Sequence, residues 1–116
     1  MWTWQELQGL ADNIRHIRDN YIEMIPVRLF AILYRNLKII QQELRILQET
    51  DNFIKKAESE DEYLISHETL MNLPVSVNLK TIPLDIFEAN TEIPLNIFEG
   101  IIDLMEEGNI SNENNN

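Results

Sequence analysis

The stretch Tyr21-Ile22-Glu23-Met24-Ile25-Pro26-Val27-Arg28-Leu29-Phe30 (YIEMIPVRLF) lies between two helical patterns and decides the fold. Proline has no amide hydrogen to donate, and it disfavours the helical conformation of the residue before it. We therefore expect a first helix to end at about Met24. Because proline is favoured in the first turn of a helix, a second helix should start directly afterwards. With no glycine or serine linker between them, the two helices should form an antiparallel hairpin.

The first helix is predicted over residues 4–24. Thr3 and Glu6 have the spacing of a capping box, in which each side chain bonds the backbone amide of the other residue. Apolar residues then recur every three or four positions, which is typical of a helix with one buried face. These residues are Leu7, Leu10, Ile14, Ile17, Tyr21 and Met24.

The second helix is predicted over residues 27–57, with two apolar lines. The first line is Phe30, Leu33, Leu37, Ile40, Leu44, Leu47 and Ile54, with Asp51 as the one break. The second line is Leu29, Ile32, Ile39, Ile46 and Phe53. At 100° per residue the two lines span about half of the helix circumference, which is more than one neighbouring helix covers. The sequence therefore predicts a homo-oligomer, with Leu29, Ile32, Ile39, Glu43, Ile46 and Phe53 at the interface.

The second half of the chain is predicted to complete a single domain over residues 1–108. An acidic linker (58–65) precedes a short helix capped by Ser66 that runs to about Asn72. Val75, Val77 and Leu79 then alternate with polar residues, which is typical of a half-buried strand. A C-terminal helix over 95–107 should end at Gly108, followed by a disordered tail over 109–116. The predicted fold class is mainly α: an antiparallel helical hairpin with a small C-terminal β element and a terminal helix.

A short unit occurs twice in this half: Ile82-Pro83-Leu84-Asp85-Ile86-Phe87-Glu88 returns eleven residues later as Ile93-Pro94-Leu95-Asn96-Ile97-Phe98-Glu99. Two copies are too few and too short for a solenoid. Each copy is interpreted as the end of a strand that turns, at proline, into a helical first turn with its Ile and Phe facing inward. The first helical turn should abort at Ala89-Asn90. A functional two-fold motif is the alternative.

Composition and charge exclude several classes of function. The chain of 116 residues has no cysteine, which rules out disulfides and cysteine nucleophiles. No apolar run approaches the roughly 18 residues of a membrane span, and the chain begins without a signal-peptide pattern, so we expect a cytoplasmic protein. The net charge is −11, and residues 58–116 hold one of the 9 Lys and Arg against 13 of the 20 Asp and Glu. Such a chain should not bind duplex DNA, and any anion site belongs in the first half.

No catalytic or metal site is predicted. His16 and His67 lie on different elements, His67 following the Ser66 cap, and neither is part of a zinc-binding spacing. The three glycines are too dispersed for a phosphate-binding loop. We therefore expect a protein that is not an enzyme and needs no cofactor.

Two features of the second helix suggest binding. Arg28, Arg35, Lys38 and Arg45 fall within about a quarter-turn of one another, with Tyr34 beside them, and such a group can hold phosphate and stack on a base. Asn36 and Glu43 interrupt the second apolar line, so they either fix the register between helices or line a site. The predicted ligand-binding residues are Arg28, Tyr34, Arg35, Asn36 and Lys38. The alternative is a solvated face whose cations pair with the acids of the second half.

The order of these parts resembles a family of small tailed-bacteriophage proteins of unknown function. The resemblance covers residues 24–107 and rests on Pro26-Val27-Arg28, Arg35-Asn36-Leu37-Lys38, Val75–Leu79, Ile82–Leu84 and Ile97–Glu107. The duplicated Ile-Pro-Leu unit and the tryptophan-bearing start depart from the family pattern. The resemblance implies a phage protein made in the bacterial host cytoplasm, and it implies no activity.

Three functions are compatible with a small, non-enzymatic phage protein of this composition. The first is a counter-defence protein: an oligomer whose basic face sequesters a nucleotide-type immune signal, without turnover. The second is an inhibitor that presents its acidic half to a host protein that binds nucleic acid. The third is an accessory protein of virion assembly. The basic face favours the first, and the net charge of −12 over residues 58–116 favours the second.

Overall fold

The protein is mainly helical. The computed structural model describes residues 1–60, 65–86 and 93–114, and for Leu84, Leu104 and residues 106–114 it describes the backbone alone. The helices within these ranges are α1 (Trp4–Tyr21), α2 (Val27–Ser59), α3 (His67–Asn72) and α4 (Leu95–Asn114). Short 3₁₀ turns follow α1, at Ile22–Met24, and precede α4, at Leu84–Ile86.

The start of α1 is a capping box, as predicted. The hydroxyl of Thr3 accepts from the Glu6 amide at 3.2 Å, and the Glu6 carboxylate accepts from the Thr3 amide at 3.1 Å. Helical structure ends at Met24, as predicted, but α1 itself ends at Tyr21 and the last three residues, Ile22–Met24, form a 3₁₀ turn. Pro26 requires an extended residue before it, and Ile25 has ψ 145°, so the helix has to be left before that point.

Helices α1 and α2 run in opposite directions against each other. Ile17, late in α1, lines the same small cavity as Leu33 and Leu37, early in α2. At the other end, His67 contacts both Trp4 and Asp51, which places the start of α1 near the late part of α2. At 1.5 Å per residue, the 33 residues of α2 extend about 50 Å and the 18 residues of α1 about 27 Å. The helix α2 therefore extends well past α1.

The helix α2 ends two residues later than predicted, so Glu58 and Ser59 belong to the helix and not to the acidic linker. Residues 61–64 of that linker lie outside the described part. The buried side of α2 lies between the two predicted apolar lines, because Leu29 of the second line is fully buried while Phe30 and Leu44 of the first are only half-buried. Asn36 and Asp51 are buried on the same side.

The predicted small β element is wrong for the described residues, which contain no strand. Val75 forms one isolated antiparallel bridge with Trp2, through backbone bonds of 2.9 and 2.7 Å. Burial still alternates after it: Val77 and Leu79 are buried, whereas Ser76 and Asn78 are exposed. An extended segment with one face on a helical core gives the same period of two as a strand, so the pattern does not report a sheet.

The two Ile-Pro-Leu units begin alike and continue differently. The amide of Ile86 bonds the carbonyl of Pro83 at 3.1 Å, and the amide of Ile97 bonds that of Pro94 at 3.0 Å. The first unit forms a single 3₁₀ turn up to Ile86, and its predicted end at Ala89-Asn90, like Phe87, lies outside the described residues. The second unit opens α4, in which Phe98 and Ile101 are buried in the core.

The predicted end of the C-terminal helix at Gly108 is wrong, because α4 continues to Asn114 through residues predicted to be a disordered tail. Glycine adopts the helical conformation at a cost of about 1 kcal/mol relative to alanine, and no proline follows it to stop the helix. Residues 115–116 lie outside the described part.

Candidate functional site

An open groove of about 840 Å³ runs along the early part of α2. Its wall on α2 consists of Val27, Phe30, Ala31, Ile32, Tyr34, Arg35 and Lys38. Lys80 and Thr81, from the extended segment after α3, line the same groove. Two segments that are more than forty residues apart in sequence therefore bring three cations to one surface.

Asn36 holds the Lys80 segment at α2. Its side-chain amide donates to the carbonyl of Lys80 at 2.9 Å and accepts from the amide of Lys80 at 2.7 Å. The same amide group lies 3.8 Å from the sulfur of Met105, and Asn36 is fully buried. Asn36 was predicted to bind the ligand, but its hydrogen-bonding groups are used to fix the backbone of Lys80, so it positions the groove without lining it.

Lys80 is the groove residue that the sequence reasoning missed. It is the one cation of residues 58–116, and it follows the alternating Val75–Leu79 segment. A lone cation in an acidic half of the chain is a candidate for an ion pair or for ligand binding, so its position could have marked it. The sequence does not indicate, however, that Lys80 lies near Arg35 and Lys38 in the fold.

The aromatic wall of the groove is formed by Phe30 and Tyr34. Their rings are stacked, with centroids 5.8 Å apart and planes inclined by 23°. The ammonium of Lys38 lies 5.4 Å from the centroid of Tyr34, within the range of a cation–π contact. Tyr34 is 45% exposed, so the aromatic wall is open to a ligand.

Arg28 was also predicted to bind the ligand, and it lies elsewhere. Its guanidinium pairs with the Asp85 carboxylate at 2.7 Å, and both side chains are largely exposed. Within the described part of the chain, Arg35, Lys38 and Lys80 have no acidic side chain at ion-pair distance. Glu58, at the end of α2, and Glu60, just after the helix, were candidates for neutralising them. They come about twenty residues after Lys38, and at 1.5 Å per residue of helix that is roughly 30 Å away.

The basic surface continues along α2 beyond the groove. A shallower depression of about 420 Å³ is lined by Lys38, Ile39, Gln41, Gln42 and Arg45. Lys38 belongs to both surfaces, so they adjoin each other. The two together offer an anion four cationic side chains from the first two-thirds of α2 and the Lys80 segment.

A second polar centre, not predicted as a site, lies at the far end of the molecule. The buried carboxylate of Asp51 accepts from Nδ1 of His67 at 2.7 Å and from Lys55 at 3.0 Å. These contacts, the His67 bond foremost and Lys55 next, hold the pKa of Asp51 below its ordinary value against the opposing effect of burial. His67 also contacts Trp4 edge-to-face, at 5.7 Å between ring centroids.

This arrangement joins α1, α2 and α3, and its chemistry is structural. Because a carboxylate only accepts, Nδ1 of His67 carries the hydrogen in this contact. Ser66 caps α3 by accepting from the Thr69 amide at 3.1 Å, so His67 itself is free for the Asp51 contact. The signal in the sequence was the interruption of the first apolar line at Asp51.

The predicted oligomer residues are exposed to different degrees. Leu29 is fully buried within the chain and is not available to a second copy. Ile32, Ile39 and Glu43 are half-buried, while Ile46 and Phe53 are 45% and 65% exposed. The exposed apolar surface thus increases toward the end of α2.

The chain matches no model of a known protein family, no curated protein and no solved structure. Among the described residues, no group of three or more His, Asp or Glu side chains is placed to hold a metal ion. Across the same residues, no helix combines the length and the apolarity that crossing a bilayer requires.

Proposed function

We propose that the protein is a non-enzymatic binding protein that holds a phosphate-bearing, nucleotide-like molecule in the groove between α2 and Lys80. The observation that carries this proposal is the convergence of Arg35, Lys38 and Lys80 beside the stacked Phe30–Tyr34 pair. Phosphate oxygens favour arginine and lysine donors, and a flat aromatic face favours a base.

The charge balance of the chain supports this ligand. In a protein with a net charge of −11, a cluster of cations without described acidic partners is unusual. Like charges that lie close together repel, and a bound polyanion relieves this repulsion. A ligand with two or more phosphates would match a groove with cations on both of its walls.

The biological role that fits such a protein is sequestration without turnover. The resemblance to small tailed-phage proteins implies a protein made in an infected bacterial cytoplasm, and a nucleotide signal of host defence is the ligand that we propose for it there. We therefore propose a counter-defence protein that binds a nucleotide-type immune signal and keeps it from its receptor.

Calorimetric titration tests the ligand class. Adenosine and guanosine mono-, di- and triphosphates and cyclic dinucleotides are titrated into the protein at low salt and again at about 0.3 M salt. We expect at least one of them to bind, with an affinity that falls as the salt concentration rises. No binding by any member of the panel would overturn the proposal.

Variants then locate the site. Lys38→Glu and Lys80→Glu should each weaken binding by about ten-fold or more, because each removes one cation and adds an opposing charge. Lys56→Glu is the matched control, since it makes the same change on an exposed residue near the end of α2, outside the groove. If the control weakens binding as much as the other two, the effect is one of net charge, and the groove is not the site.

A further inference from the structure

An exposed apolar stripe extends along α2 at heptad spacing: Ile32, Ile39, Ile46 and Phe53. Heptad spacing keeps these four residues on one line of the helix, as in a coiled coil. Ile32 and Ile39 are half-buried, but Ile46 and Phe53 are 45% and 65% exposed. Two large apolar side chains, two turns apart on one helix, form a surface that a partner can cover.

We infer that this stripe pairs with the same stripe of a second copy, with the two α2 helices antiparallel. The inference is independent of the proposed nucleotide groove. In this pairing Ile32 meets Phe53 of the second copy, and Ile39 meets its Ile46. A two-fold axis passes near Gln42, so the two surfaces are identical and the assembly closes as a dimer.

The charges beside the stripe select this orientation. Arg35, Gln42, Glu49 and Lys56 each come three residues after a stripe residue and therefore form a line on one side of it. In the antiparallel pairing, Arg35 of each copy lies within about one residue of Glu49 of the other, which gives two opposite-charge contacts. A parallel pairing would place the two lines on opposite sides of the seam, so neither opposite-charge contact would form.

The ends of the stripe and its centre fit the same arrangement. Lys56 comes opposite Arg28 of the second copy, but the charge of Arg28 is already offset by Asp85 at 2.7 Å. Glu43, which is half-buried, lies close to the axis and comes near its own counterpart. Two carboxylates at that place weaken the dimer, so it should form at micromolar concentration and dissociate on dilution.

The dimer and the nucleotide groove adjoin each other and share Ile32 and Arg35. A guanidinium has five N–H donors, so a contact with Glu49 of the second copy leaves donors for a phosphate. The pairing assigns no contact with the second copy to Lys38 or Lys80. The groove variants and the dimer variants therefore change different residues, and either proposal can fail alone.

Sedimentation velocity over a range of concentrations tests the dimer. The wild type should form dimers at tens of micromolar, and Phe53→Glu should be monomeric with unchanged circular dichroism, because Phe53 is mostly exposed in the single chain. Glu49→Arg should weaken dimerisation about ten-fold, and adding Arg35→Glu to it should restore the wild-type affinity. Gln48→Arg, on the opposite side of the helix, is the control. A monomeric wild type, or a Glu49→Arg variant as tight as the control, would overturn the inference.

Disulfide trapping tests the orientation directly, and the absence of native cysteine makes single-cysteine variants unambiguous. Under mild oxidation, a mixture of Ile32→Cys and Phe53→Cys chains, one carrying a mass tag, should give the mixed disulfide. Phe53→Cys alone should not cross-link, because the two copies of residue 53 are about 30 Å apart in the antiparallel dimer. Efficient Phe53→Cys self-linking without the mixed product would establish a parallel pair and overturn the inference.

Discussion

Asn36 shows how one buried polar side chain can position a binding surface that it does not line. Its amide forms the same pair of hydrogen bonds with the backbone of Lys80 that a neighbouring strand would form, at 2.9 and 2.7 Å. Removing it would leave a carbonyl and an amide of Lys80 without these partners. The cost of unpaired backbone groups exceeds the modest net gain of a hydrogen bond that is present.

We predict that Asn36→Ala lowers the free energy of unfolding by about 2–4 kcal/mol, because two backbone groups lose their partners and a small cavity forms beside Met105. Urea denaturation followed by circular dichroism measures this change. Asn78→Ala, an exposed asparagine on the same extended segment, is the control and should stay within about 0.5 kcal/mol of the wild type. Equal stability of the two variants would show that the Lys80 segment is held by other contacts.

Asp51 predicts a loss of stability in acid. Folding lowers the pKa of its carboxyl from the ordinary value of 3.8, so the folded protein favours the charged form more than the unfolded chain does. The resulting stabilisation is complete at pH values above about 5, and it is lost as the pH falls through 3.8 toward the lower folded pKa.

The expected result is that Asp51→Asn melts several degrees below the wild type at pH 6 and that the difference shrinks toward pH 3. Thermal unfolding at each pH measures it. Asp12→Asn removes an exposed carboxylate that pairs with Arg15 on the surface of α1, and this control should change the melting temperature little at any pH. A constant gap between Asp51→Asn and the wild type down to pH 3 would contradict the assignment.

The long helices are stabilised mainly by burial of their apolar faces. Two of them contain a glycine, a residue with low helix propensity, at an interior position. Gly9 in α1 and Gly100 in α4 both have open space where a Cβ atom would stand. Each therefore weakens its helix without providing room for a neighbour.

Gly9→Ala and Gly100→Ala should each stabilise the protein, by about 0.5–1 kcal/mol, because alanine loses less backbone entropy in a helix. Denaturant midpoints of the single variants and of the double variant measure the gain, which should be additive since the two sites lie on different helices. A loss of stability at either position would mean that another chain segment or a second copy approaches that glycine closely.

All four helices contribute to one core, so the molecule should unfold as one unit. Trp2 and Trp4 are 1% and 3% exposed, and they are the two tryptophans of the chain. The same buried cluster contains Leu70 of α3, Val77 of the extended segment that follows α3, and Phe98 of α4. The helices α1 and α2 therefore depend on the second half of the chain to cover their apolar faces.

We predict that tryptophan fluorescence, which reports the Trp2–Trp4 region, and ellipticity at 222 nm, which reports all helices, follow one urea transition. Both signals are measured at one protein concentration, higher than that at which the proposed dimer forms. Dissociation of the dimer then does not shift the fluorescence curve relative to the ellipticity curve. Fluorescence that changes at lower urea than ellipticity would show that the N-terminal contacts open before the rest of the core.

The sequence by itself determined the helical class, the capping box at Thr3, the change of direction at Pro26 and the helical turn after each Ile-Pro-Leu unit. These features depend on neighbours within a few residues: a proline ring, a cap side chain, or an apolar spacing of three and four. The same local rules failed where they were ambiguous. The alternation of Val75–Leu79 fits any extended segment on a core, and Gly108 fits a helix interior as well as a helix end.

Only the tertiary structure decided how the polar residues are used. Arg28, Arg35 and Asn36 lie close together on α2, yet the structure places them in an ion pair with Asp85, in an open groove and in a buried backbone contact, respectively. Lys80 joins Arg35, and His67 joins Asp51, because distant segments return to the same helix. Such contacts depend on where the chain comes back after 16 to 57 residues, and local sequence periodicity carries no information about that return.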